Sequence, residues 1–299
     1  MKKKRGVRWR IAILTGVIFF GFSILLNSCG RFQFRSSKKE INQFFADKKQ
    51  KGTFHSYYQG KRFINYIEVG KDSLPLVLFV HGSPGALDAF LDFLADTTLL
   101  KEAQLASVDR PGFGESDFGR AEPSLKKQAA LIKPILEKHK KQRPIILVGH
   151  SLGGPVIARM AMDYPELIDG LIFVAGSIDP DLEPREWFRA PLATPFLSWL
   201  IPRALRASND EIYKLKPELQ EMLPLWSTIQ CPTIFIQGQK DELVDPGNAV
   251  FAKRRMTGTN VEIVSVEDMN HFVPWSHPYL IRNAILELLH NPEVHAKKQ

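Results

Sequence analysis

The chain has 299 residues, 44% of them hydrophobic and only two of them cysteine, which excludes both a disordered segment and a disulfide-stapled scaffold. Its formal net charge of +8 would suit a nucleic-acid binder if it were spread along the chain. It is not: residues 1–28 hold six Lys/Arg and no acid, residues 30–52 hold seven against Glu40 and Asp47, and residues 53–299 come out at −3, so nucleic-acid binding is not supported.

Taken in chain order, Met1 to Arg10 is a positive stretch, and Ile11 to Leu26 is an apolar core that ends in Leu26-Asn27-Ser28-Cys29-Gly30. This is similar to the lipobox of bacterial lipoproteins. The resemblance implies a signal peptide over 1–28, cleavage before Cys29, and a diacylglycerol on the Cys29 sulfur. The competing reading is an uncleaved anchor, although a mainly apolar stretch of sixteen residues falls just below the roughly 17–25 that span a bilayer. Either reading attaches the chain to a membrane, with the remaining domain on its periplasmic or cell-surface side. Residues 29–52 then form a basic tether, lying against anionic lipid at roughly 1 kcal/mol per basic residue or simply solvated.

Leu76 to Val80 is a continuous apolar run, as expected of a strand buried on both faces, and it stops in His81-Gly82-Ser83-Pro84-Gly85. A second run, Ile145 to Val148, leads into Gly149-His150-Ser151-Leu152-Gly153, and Pro155 to about Asp163 reads as a helix. A G-x-S-x-G sequence between strand and helix predicts a sharp elbow with the Ser151 hydroxyl exposed above the sheet edge. Side chains at 149 and 153 would collide with a neighbouring strand or helix. Leu171 to Val174 is a further strand. Residues 178–229 then break the strand–helix alternation with seven prolines, from Pro180 to Pro224, which predicts short, kinked helices forming a cap. Its Trp187, Phe188, Phe196, Trp199 and Trp226 would line an acyl pocket or form the cap's own core. The strand Pro232 to Gln237 is followed by Asp241, and the strand Val261 to Val266 by His271.

A serine hydroxyl is a weak nucleophile without a base, an orienting group and donors for the developing oxyanion. Asp241 follows a strand end on the same rim as Ser151, and His271 follows the last strand, 30 residues later. Asp179 is the rival acid. Asp245, before Pro246, is expected to cap a helix over roughly 249–255, and Glu242 to be solvated. The backbone N–H groups of Ser83 and Leu152 are the expected oxyanion donors. Of the other histidines, His150 is expected to pack against the sheet and His81 to tether its own loop. His55, His139, His277, His290 and His295 are expected in solvent. Cys231 stands alone, and no intrachain disulfide is expected.

These motifs, in this order, together with Asp109-Arg-Pro-Gly-Phe-Gly-Glu-Ser116, resemble the α/β-hydrolase fold superfamily over about residues 53 to 290. The resemblance implies a mostly parallel eight-stranded sheet with helices on both faces. The core is 53–177 and 230–299, with the cap at 178–229 between strands six and seven. It implies a Ser151–Asp241–His271 triad acting on an ester or amide without metal or organic cofactor. Dehalogenases and epoxide hydrolases of the family carry Asp at the elbow, where this chain has Ser. Three activities stay open. The first is a carboxylesterase or lipase-like hydrolase. The second is an aminopeptidase, since His81-Gly-Ser-Pro-Gly85 resembles the proline iminopeptidase loop and Glu183 or Glu186 would bind a free amine; Leu152 stands where that family has Trp. The third is a catalytically silent lipid-anchored binding protein. Oligomeric state is not legible.

Overall fold

The computed structural model describes residues 34–139 and 143–296. The signal-peptide reading, Cys29 and the first residues of the tether lie outside these. Eight strands form one sheet: β1 (Thr53–Gln59), β2 (Arg62–Val69), β3 (Leu76–Val80), β4 (Gln104–Val108), β5 (Ile145–His150), β6 (Gly170–Val174), β7 (Thr233–Gly238) and β8 (Val261–Val266). Their spatial order is β1-β2-β4-β3-β5-β6-β7-β8. β1 and β2 pair antiparallel, as do β2 and β4, and every pair from β4 to β8 is parallel. The fold class expected from the sequence is therefore the one observed.

The continuous apolar runs follow from burial on both faces. Along β3, Leu76, Leu78 and Val80 point into one core layer, with the helices Leu125–His139 and Gly153–Asp163. Val77 and Phe79 point into the other, with Phe90, Phe93 and the helix Pro278–His290. Successive strand side chains alternate faces, so a strand covered twice needs an apolar residue at every position. From β3 the chain crosses to β4 on one side and then to β5 on the other. The strand order reverses between β3 and β5, the place where open α/β sheets leave a crevice at their carboxyl ends.

Two expectations need correction. The cap is not made only of short, kinked helices. Arg189–Leu192 and Pro195–Ser198 are four-residue turns, but Arg203–Met222 is a 20-residue helix with Pro217 inside it. An interior proline costs about 3 kcal/mol. Leu215, Leu219 and Met222 are buried in the main core, at roughly 1.5–3 kcal/mol each, and outweigh it. Nor is the tether a loose linker throughout. Lys38–Asp47 is a helix opened by a reciprocal capping box between Ser37 and Glu40, with Ile41 and Phe45 buried against the sheet. Among the described residues no helix is long and apolar enough to cross a membrane.

Candidate active site

The elbow after β5 is built by close backbone approach. A Cβ at Gly149 would stand 2.6 Å from Gly153 O, and one at Gly153 only 2.1 Å from Val80 O. The glycines therefore let the turn press against β3, as their spacing predicted. Ser151 itself has φ 53°, a conformation that costs a non-glycine residue of order 1–3 kcal/mol and is held only by surrounding structure. Its N–H donates to Val174 O at 2.9 Å, and its carbonyl accepts from Gly154 and Ser177. The helix Gly153–Asp163 starts immediately after Leu152, whose N–H lies before the helical ladder.

His271 reaches the same place from the loop after β8. Its Nδ1 donates to Asp241 Oδ2 at 2.8 Å, and both side chains are almost fully buried. The second Asp241 oxygen accepts the N–H groups of Leu243 and Val244. Burial acts to raise the Asp241 carboxyl, but the His271 hydrogen bond and charge, with those two N–H groups, hold it below its ordinary value. The rival Asp179 instead accepts from the Asp181 N–H, closing its own turn. Asp245 accepts from the N–H of Gly247, the first residue of the helix Gly247–Arg255, and Glu242 is exposed.

The other histidines divide differently from expectation. His150 is buried, its Nε2 donating to His271 O at 3.0 Å, and burial pushes its pKa down to about 3, keeping it neutral. It therefore supports the loop that carries His271. His81 does tether its loop: Nδ1 donates to Gly82 O and Nε2 accepts the Arg110 N–H. His55 and His139 are not free in solvent, because both pair with the buried Glu68, at 2.9 and 2.7 Å. His290 is exposed, His277 is half-buried with its ring at Ser276 Oγ, and the His295 ring contacts Leu289 O.

A buried ion pair escaped the sequence reading. Arg110, from the loop after β4, forms a bidentate pair with Glu211 of the cap helix, at 2.8 and 3.0 Å, with exposures of 0% and 1%. Burial raises the Glu211 carboxyl against the pull of Arg110, Ser83 Oγ and Gln128, all of which contact it. The same guanidinium donates to His81 O and Gly82 O. In a trans peptide the C=O and the following N–H point in opposite directions. Holding Gly82 O from behind thus turns the Ser83 N–H away from Arg110. Among the described residues no acceptor takes that N–H, or that of Leu152. Only the Arg-Pro-Gly motif hinted at this network; Glu211 lies 101 residues further on and has no local signal.

Two adjoining cavities, of about 560 and about 600 Å³, share Ser83, Pro84, Ser151, Leu205, Leu243 and His271. The first runs under the cap and includes Glu183, Glu186, Phe188 and Arg189. The second is lined by Phe34, Ala86, Ala89, Phe272 and Trp275. Of the five cap aromatics expected in a pocket or a cap core, Phe188 alone lines either cavity. Trp226 is fully buried in the main core, edge-on to Phe251, while Trp187 and Phe196 protrude, 85% and 81% exposed. Cap helices of four residues are too short to bury both faces. Glu183 hydrogen-bonds Ser177, with burial raising its carboxyl, and Glu186 pairs with Arg189.

Comparison with known proteins agrees with this architecture. The family model described as "alpha/beta hydrolase fold" matches residues 75–209. The Mycobacterium tuberculosis (strain ATCC 25618 / H37Rv) protein named "Uncharacterized protein Rv2715" is 30% identical over 266 residues, covering 74% of each chain. Mouse "Epoxide hydrolase 4" is 32% identical over 117 residues, 38% of this chain and 32% of that protein's length. The structure of a putative lipase from Acinetobacter baumannii AYE superposes with a TM-score of 0.64 at 20% identity, covering 85% of this chain and 96% of that one. The chain belongs to the α/β-hydrolase fold family.

Proposed function

We propose that the protein is a serine hydrolase that cleaves a carboxylic ester through an acyl-enzyme on Ser151. The observation that carries this is the Asp241–His271 hydrogen bond at 2.8 Å, with Ser151 at a positive-φ elbow in the same cavities as His271. With Nδ1–H fixed on Asp241, His271 Nε2 is the basic nitrogen. It takes the Ser151 proton as Oγ attacks the carbonyl, and Asp241 stabilises the imidazolium. The N–H groups of Ser83 and Leu152 bind the oxyanion, an interaction of about 3 kcal/mol per donor. The alcohol leaves with the proton from His271, and water, deprotonated by the same His271, releases the acid. Serine rather than aspartate at the elbow favours acyl transfer over epoxide opening, despite the similarity to an epoxide hydrolase. Arg110 and Glu211 act as positioning residues through the Gly82 peptide.

The aminopeptidase reading keeps one specific support: Glu183 and Glu186 both line the cavity beneath the cap. Glu186 is already paired with Arg189, and Glu183 already accepts the Ser177 hydroxyl, so neither presents a free carboxylate for an amine. An export signal with lipidation at Cys29, and membrane attachment outside the cytoplasm, belong to the same proposal. The test is fluorophosphonate labelling of the full chain beside Ser151→Ala, followed by aryl esters and proline arylamides. Labelling and ester turnover lost in the variant are expected. A folded wild-type chain that does not label would favour the silent binding protein instead, and turnover confined to proline arylamides would favour the aminopeptidase.

A further inference from the structure

Four large apolar side chains surround the mouth of the second cavity and remain exposed: Phe34 at 39%, Leu243 at 62%, Phe272 at 53% and Trp275 at 55%. They come from three separate stretches: the segment before the first helix, the loop after β7, and the turn after β8. Single exposed apolar residues need no explanation. Four around one opening, with Ser151 and His271 beneath them, form a surface patch.

The chain's own upstream sequence indicates what this mouth faces. Phe34 is part of the rim, and the residues after it are pinned. The Ser36 N–H donates to Asp88 Oδ2 at 2.6 Å, and Asp88 lines the same cavity. Arg35 pairs with Glu115 at 2.8 Å and lies over the Phe118 ring. The capping box at Ser37 and Glu40 then starts a helix anchored by Ile41 and Phe45. The N-terminal segment therefore meets the folded unit at the cavity mouth, in a fixed place. In the sequence the apolar stretch Ile11–Leu26 ends eight residues before Phe34, and Cys29 lies five before it. Eight residues reach at most about 29 Å and five about 18 Å. A unit leashed by its mouth on so short a tether cannot turn that mouth far from the lipid. The aromatic rim has the side chains that settle at a membrane interface, and the sequence around Phe34 is basic, with Arg31, Lys38 and Lys39 within five residues of it to attract anionic headgroups.

We infer that Phe34, Leu243, Phe272 and Trp275 dock on the bilayer surface, and that the substrate is an acyl ester of a membrane lipid entering the second cavity from the bilayer. This rests on the ester-hydrolase and membrane-attachment readings above. The lipid's acyl group passes to Ser151 Oγ, its alcohol portion leaves with the His271 proton, and water releases the fatty acid.

The experiment uses the full chain in vesicles of phosphatidylcholine with one third phosphatidylglycerol. Leu243→Cys, and as a control Asp72→Cys in the exposed turn before β3 at the opposite end of that strand, carry an environment-sensitive fluorophore. The unsubstituted chain supplies the background from Cys29 and Cys231. The expected result is a blue-shifted emission at 243, quenched by nitroxide-bearing lipid acyl chains, with position 72 unchanged. A label at 243 that stays aqueous overturns the docking. So does a shift that follows protein concentration rather than lipid, which would mean that a second copy covers the rim. This readout needs no turnover, so it fails independently of the fluorophosphonate test. Fatty-acid release from the same vesicles by the wild-type chain but not by Ser151→Ala is expected. Turnover of a soluble aryl ester with no release from vesicles overturns the substrate assignment.

Discussion

The two walls of the cavities are held by different means. On the sheet side, position is a matter of backbone. Val80 and Gly149 are register partners, Gly153 sits against the Val80 carbonyl, and the Ser151 conformation is pinned by β6. On the cap side, two four-residue helices are accompanied by aromatics that face solvent, and one 20-residue helix secures the segment. That helix is tied to the rim by the Arg110–Glu211 pair, which also holds the Gly82 peptide. One wall is fixed by backbone packing that admits little change, and the other is joined through one helix, by its buried Leu215, Leu219 and Met222 and by the Arg110, Ser83 and Gln128 contacts to Glu211, while the short turns before it stand in solvent. In the proposed reaction, chemistry belongs to the first wall and substrate fit to the second.

The comparison can be broken at its connection. Glu211→Ala would leave a buried guanidinium unpaired and cost about 3–5 kcal/mol in chemical denaturation. The double variant Arg110→Met, Glu211→Leu should recover most of that stability, because a buried pair replaced by apolar side chains is often near neutral. Its kcat should still fall by at least about 10-fold, since nothing then aims the Ser83 N–H. Full activity in a stable double variant would show that the pair only joins the walls and positions nothing.

On the sheet side, Gly153→Ala should cost about 3 kcal/mol, because both atoms in the clash are held by backbone and neither can yield; thermal unfolding measures it. A smaller effect comes from Asp241. Its folded pKa is lowered, so the stability it contributes is present above the ordinary carboxylate value and is lost as pH falls through the folded one. Asp241→Asn should flatten that acid-side loss in urea titrations carried downward from about pH 5. Smallest of all, Trp187→Ser and Phe196→Ser should each shift stability by no more than about 0.5 kcal/mol. A larger loss would mean that the cap aromatics pack against something in solution.

Legibility followed the same division. The β3, β5, β6, β7 and β8 strands were readable because burial on both faces demands unbroken apolar runs, or alternation where one face is less covered, as in β8. Ser151, Asp241 and His271 were readable because each follows a strand end, and parallel strands bring their carboxyl ends to one rim. The cap resisted. Prolines announced breaks but could not show that Pro217 would be carried inside a helix whose apolar face reaches the main core. His139 looked like a surface residue because Glu68, its partner, lies 71 residues away across the fold.

By itself the sequence determined the fold class, the elbow with its glycines, and the order Ser151, Asp241, His271, since local sterics and strand burial leave their marks within a few residues. Only the tertiary structure decided between Asp241 and Asp179 for the His271 ring, joined Arg110 to Glu211, and set Phe34 at the cavity mouth. Those outcomes depend on which distant segments share a desolvated space, where an unpaired polar group costs more than most local preferences can supply.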